Sequence, residues 1–159
     1  MALSARNACY IPAVILECNL PVSWRTAPRS FPALMGLYES NYLRLSRLAG
    51  NLAALAGTSI STVPGDCALQ LTVRERAPYT SELQRTYLLP ALGVAASPER
   101  VPDLSLRLYH DARLLSVHEL AASSPARELD RRWARNLMLN KWLDYCAERG
   151  HRFAAAHSD

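Results

Sequence analysis

The sequence predicts an α+β domain, with an N-terminal and a C-terminal helix packed on one face of a four- or five-stranded antiparallel sheet. Three observations predict it. Stretches near each end carry apolar residues at helical spacing, the middle of the chain alternates apolar and polar residues with a period of two, and the alternating stretches are joined mostly by short turn-forming segments. Short connections between successive strands imply antiparallel pairing, and amphipathic helices must bury their apolar stripe on something, here the sheet. With 159 residues, half of them hydrophobic and a fifth charged, the chain suffices for one packed core.

Residues 1–30 contain Pro12, Pro21 and Pro28 and sustain no periodicity, so they read as a poorly ordered extension ahead of a single domain over residues 31–150. The apolar run Ile11–Leu16 is far short of the roughly 20 residues a membrane span needs, and it lacks the basic flank of a secretory signal. A helix begins at Phe31, with Ser30 as cap and Pro32 in the first turn. Phe31, Leu34, Tyr38, Leu45, Leu48 and Leu52 share one broad side, and Gly50-Asn51 ends the helix.

Strands follow. Thr58–Val63 is rich in β-branched residues and is closed by the turn signal Pro64-Gly65-Asp66. Cys67, Leu69, Leu71 and Val73 then alternate with Ala68, Gln70, Thr72 and Arg74. In Tyr79–Leu89, Leu83, Tyr87 and Leu89 share a face with Arg85, which predicts an edge position where the guanidinium meets water. The prolines of residues 90–103 read as a loop. In Leu104–Glu119, Leu104, Leu106 and Leu108 alternate with Ser105, Arg107 and Tyr109 until the phase breaks at Asp111-Ala112, as a hairpin or a bulge. Ser124-Pro125 starts the last helix, which carries Leu139, Trp142, Leu143 and Cys146 on one side and stops at Gly150, leaving His151–Asp159 as a frayed tail.

The net charge is +4 and the pI about 9.1, an excess compatible with a nucleotide or nucleic-acid partner without requiring one. Cys9, Cys18, Cys67 and Cys146 form no C-x-x-C pair, and without a secretory signal they read as reduced, mostly structural thiols of a cytoplasmic protein. The sequence has no P-loop, dinucleotide fingerprint, G-x-S-x-G or H-E-x-x-H.

Four groups of residues carry chemistry. His110 and Asp111 are a base and a carboxylate able to orient it, although neighbours in a strand point to opposite faces and cooperate only if the phase break turns them together. Arg74, Arg107 and Tyr109 fall on the sheet face away from the leucines, a surface suited to a phosphate or single-stranded RNA, or else an ordinary solvated face with Arg74 paired to Glu82. Arg131 and Arg135, one turn apart on the last helix, can meet phosphates or an acidic partner. Asn136 falls on the buried side, where its amide needs partners, and is expected to bond sheet backbone near His110. His110, Asp111, His118, Cys146 and His151 stand at no diagnostic metal spacing, so neither a metal nor a cofactor is expected.

Leu106-Arg-Leu-Tyr-His-Asp-Ala112, the run Phe-Pro-x-Leu-Met-x-Leu-Tyr-Glu-x-Asn over Phe31–Asn41, and Asn136-x-x-Leu-x-x-Trp-Leu-x-Tyr-Cys-x-x-x-Gly150 occur here in that order. Together they resemble the bacterial YqiB-like family of small cytoplasmic proteins of unknown function. The likeness covers residues 31–150 and departs between Glu119 and Ser124, where the family carries a longer basic and aromatic segment. It implies one cytoplasmic domain and supplies no catalytic residues. The residues themselves favour a non-enzymatic binding or regulatory module, with a basic surface near Arg107 and Tyr109 for a protein or an anionic ligand such as a nucleotide or RNA. The alternative is a small hydrolase-like enzyme that uses His110 and Asp111.

Overall fold

In the computed structural model, residues 23–89, 99–118 and 125–153 are described. A short helical turn, α1 (Ser23–Thr26), leads into α2 (Phe31–Ala49). A single 3-10 turn at Leu52–Ala54 connects it to the strands β1 (Thr58–Ser61), β2 (Ala68–Arg76), β3 (Thr80–Leu89), β4 (Glu99–Tyr109) and β5 (Leu114–Val117). The long helix α3 (Pro125–Glu148) follows. The strands pair in chain order as a five-stranded antiparallel meander.

The capping chemistry places α2. Ser30 Oγ accepts from Ala33 N at 3.3 Å, Pro32 occupies the first turn, and Gly50 takes φ +64° at the end. The alternation of β2, β3, β4 and β5 puts Leu69, Leu71, Leu83, Leu106, Leu108 and Leu115 on one sheet face, fully buried against Leu45 and Leu48 of α2 and Leu139 and Leu143 of α3. Each such leucine contributes about 1.5–3 kcal/mol relative to exposure. A second cluster joins Leu34, Leu37 and Tyr38 of α2 to Trp133 of α3, with Trp24 edge-on to Trp133 at 6.0 Å between centroids. The order expected to start at residue 31 therefore begins by Ser23, while residues 1–22 lie outside the described residues.

Three expectations are corrected, and one open alternative is resolved. Arg85 is not at an edge: it lies in the central strand, paired with Leu71 on one side and Leu104 on the other, and is wholly buried on the leucine face. The expected loop over residues 90–103 is part strand, since β4 starts at Glu99. Pro102 is accommodated because the pairing shifts register between Thr86 and Leu88, where no ladder N–H is needed from it. The break at Asp111-Ala112 is a four-residue hairpin loop between Tyr109 and its partner Leu114, with Arg113 at φ +54°. The tail does not fray at residue 151. Gly150, at φ +90°, lets the chain turn so that His151 N bonds Cys146 O at 3.0 Å, and Phe153 is buried with its N–H on Leu48 O at 2.8 Å. Residues 154–159 lie outside the described residues.

Candidate functional site

Arg107 and Tyr109 alternate with Leu106 and Leu108, so the leucines that bury one face of β4 present these two side chains on the other. Glu82, directly opposite Arg107 on β3, accepts a hydrogen bond from Arg107 Nη2 at 2.6 Å. That bond holds the Glu82 carboxyl below its usual range and raises the Arg107 guanidinium above its own. Glu82 Oε1 is also 4.0 Å from His118 Nε2.

The expected partnership of Arg74 with Glu82 does not form. The β2–β3 register runs Val73 with Leu83 and then Glu75 with Glu82, leaving Arg74 as the extra residue of a bulge. Glu75 thereby takes the outward position beside Glu82, and Arg74 is exposed away from it. The outer face is consequently divided. A cavity of about 340 Å³ on one side of Arg107 and Tyr109 is lined also by Glu75, Thr80 and Glu82.

A second cavity, of about 200 Å³, lies on the other side of the same two residues, where the sheet meets the helices. Tyr38, Ser116, His118 and Arg132 complete its polar lining, and among the described residues no carboxylate lines it. Arg132 is braced through Nε by Glu128 at 2.6 Å, one helical turn away, which raises its pKa. Each arginine is thus paired with a carboxylate. Arg131, Arg132 and Arg135 are all exposed on α3, and of the three Arg132 lines a cavity with Arg107.

His110 and Asp111 are not brought together as a catalytic pair. Asp111 is exposed, and its Oδ1 accepts from Ala112 N at 2.8 Å, closing its own turn. His110 Nε2 instead shares a 2.8 Å hydrogen bond with Ser81 Oγ. Burial, helped by the charge of Arg76, lowers the His110 pKa. Ser81, which sequence reasoning did not single out, is itself only 2% exposed, so it is not presented to a substrate. The cavity beside His110 is lined by Ala53, Arg76, Ala77 and Pro78, without Asp111.

Asn136 is buried, and both the nitrogen and the oxygen of its side-chain amide are bonded. Nδ2 donates to Arg132 O at 2.7 Å, while Oδ1 accepts from Val117 N at 2.9 Å and from Asn41 Nδ2 at 3.5 Å. Asn140 Nδ2 in turn donates to Asn41 Oδ1 at 2.9 Å. The sheet contact is thus at β5, not near His110, and it carries the outward N–H of Val117. Among the described residues no group of three or more His, Cys, Asp or Glu side chains is placed to hold a metal, and no helix is long and apolar enough to cross a membrane.

A family profile described as protein of unknown function, DUF1249, matches residues 44–152. The chain is 28% identical to the uncharacterized protein YqiB of Escherichia coli K12 over 131 residues, covering 76% of this chain and 90% of that protein. The YqiB proteins of E. coli O6:H1 and O157:H7 match to the same extent. No solved structure matches.

Proposed function

The chain belongs to the DUF1249 family, and since membership assigns no chemistry, we propose from its side chains a non-enzymatic binding module that takes an anionic ligand in the cavity between Arg107 and Arg132. The observation that carries this reading is the lining of that cavity. Every described polar side chain on it is a cation, a hydroxyl or an imidazole, and each of its two arginines is paired with a carboxylate that does not itself line the cavity. Such a lining offers an anion several donors whose conformations are already fixed, which reduces the entropy that binding costs.

The test is isothermal titration of the purified protein with inorganic phosphate, nucleotides and oligoribonucleotides at low salt. Arg107→Ala combined with Arg132→Ala abolishes the heat of binding, while Arg74→Ala combined with Arg131→Ala leaves it unchanged. The reading is overturned if no anion binds the parent protein, or if both double variants lose binding equally.

A further inference from the structure

We propose that the ligand is a phosphomonoester bearing vicinal hydroxyls, the sugar-phosphate portion of a ribonucleotide, which lies across Arg107 and Tyr109 and enters both cavities. This rests on the anion-binding reading and extends it. Arg107 and Tyr109 form a shared wall between two spaces of opposite character. On one side are Arg132, His118, Ser116 and Tyr38, all able to donate to a phosphate once His118 has its donor nitrogen turned inward. On the other side Glu75 and Glu82, cross-strand partners, offer carboxylate oxygens beside Thr80.

Charge decides which ligand fits both. A bare phosphate fills only the donor-lined cavity. A continuous RNA strand brings further phosphates against Glu75 and Glu82, and like charges held together penalise the wrong partner. A single anionic end followed by hydroxyl groups satisfies both sides, because hydroxyls donate well to carboxylates. Together the two spaces, about 200 and 340 Å³, fall within the size range of small-ligand sites, roughly 300–1,000 Å³. Glu75 joins Glu82 in making the second half acidic, and it is there because Arg74 is taken up by the bulge.

The experiment compares inorganic phosphate, ribose 5-phosphate, ethanolamine phosphate and a single-stranded oligoribonucleotide by titration calorimetry, on the parent protein and on Glu75→Gln. Glu75 is exposed, so this variant folds as the parent does. Ribose 5-phosphate binds at least about ten-fold more tightly than inorganic phosphate, since hydrogen bonds to a charged group are worth at least that much. Glu75→Gln removes this advantage without weakening the binding of inorganic phosphate. Equal affinity for the two, an advantage that persists in Glu75→Gln, or tighter binding of ethanolamine phosphate or RNA than of ribose 5-phosphate overturns the inference while phosphate binding keeps the anion reading intact. Absence of phosphate binding overturns both.

Discussion

Arg85 donates through Nη2 to the sulfur of Cys146 at 2.8 Å in the interior of the domain, with its guanidinium carbon 3.8 Å from the centre of the Trp142 ring. The hydroxyl of Tyr87 reaches the same sulfur at 3.0 Å. Burial lowers the Arg85 pKa to about 10, which leaves it charged at neutral pH, and burial also pushes the Cys146 thiol up. A cation is therefore held against a thiol and an indole face, and among the described residues Nε and Nη1 have no hydrogen-bond partner. Burying a charge with so few partners is costly.

It follows that Arg85→Met, which fills similar space without charge, is neutral or stabilising by about 1–4 kcal/mol. Cys146→Ala takes away the acceptor and leaves the charge, and costs about 1–3 kcal/mol. Urea denaturation of both variants checks the opposite signs.

His110 gives the domain an acid-sensitive element. Its folded pKa is below the ordinary value of 6.5, so the folded state holds fewer protons than the unfolded chain as the pH falls through that value. Stability from this group is present above pH 6.5 and is lost on acidification towards the folded pKa. His110→Gln keeps a hydrogen bond to Ser81 and removes the titration. The difference in Tm between parent and variant accordingly shifts against the parent between pH 7.5 and 5.

Asn136→Leu strands the N–H of Val117 and removes the side-chain partners of the Arg132 carbonyl and of Asn41 Nδ2. The expected loss is about 1–3 kcal/mol, chiefly from the unsatisfied N–H of Val117. Because Asn41 belongs to the same network, Asn41→Leu added to Asn136→Leu costs less than the sum of the two single changes, which a double-mutant cycle on unfolding free energies measures.

Phe153 closes the core from beyond the last helix. Phe153→Ala costs about 3–5 kcal/mol, whereas Arg152→Ala, at an exposed side chain, costs within about 0.5 kcal/mol. Thermal melts of the two variants separate them.

Caps and alternation made much of this fold legible. Ser30, Pro32 and Gly50 mark α2, and the leucines of β2 and β4 mark their buried face, because these signals are local. Non-local choices were hidden. Arg85 follows the alternation of β3 faithfully, but the principle that arginine seeks water argued for an edge, and only the tertiary contacts with Trp142 and Cys146 place it in the central strand. A bulge leaves no mark in composition, so the replacement of Arg74 by Glu75 beside Glu82 could not be read from a period of two. Arg132 carries a local signal: it lies three residues after Leu129 and four before Asn136, hence beside the stripe those two residues mark on α3. The hydrogen bond between Ser81 and His110 joins strands 29 residues apart and has no local trace.

The hydrogen bond from Val117 to Asn136 also limits what the sheet can join. It takes up the outward N–H of Val117 at the β5 border with a helix side chain, while β1, at the other border, pairs with β2 alone. A strand added beside β5 has to displace Asn136 from that N–H, whereas one added beside β1 displaces no such bond. The sheet is thus two-sided in name and biased in practice, with β1 the border through which another strand joins at lower cost.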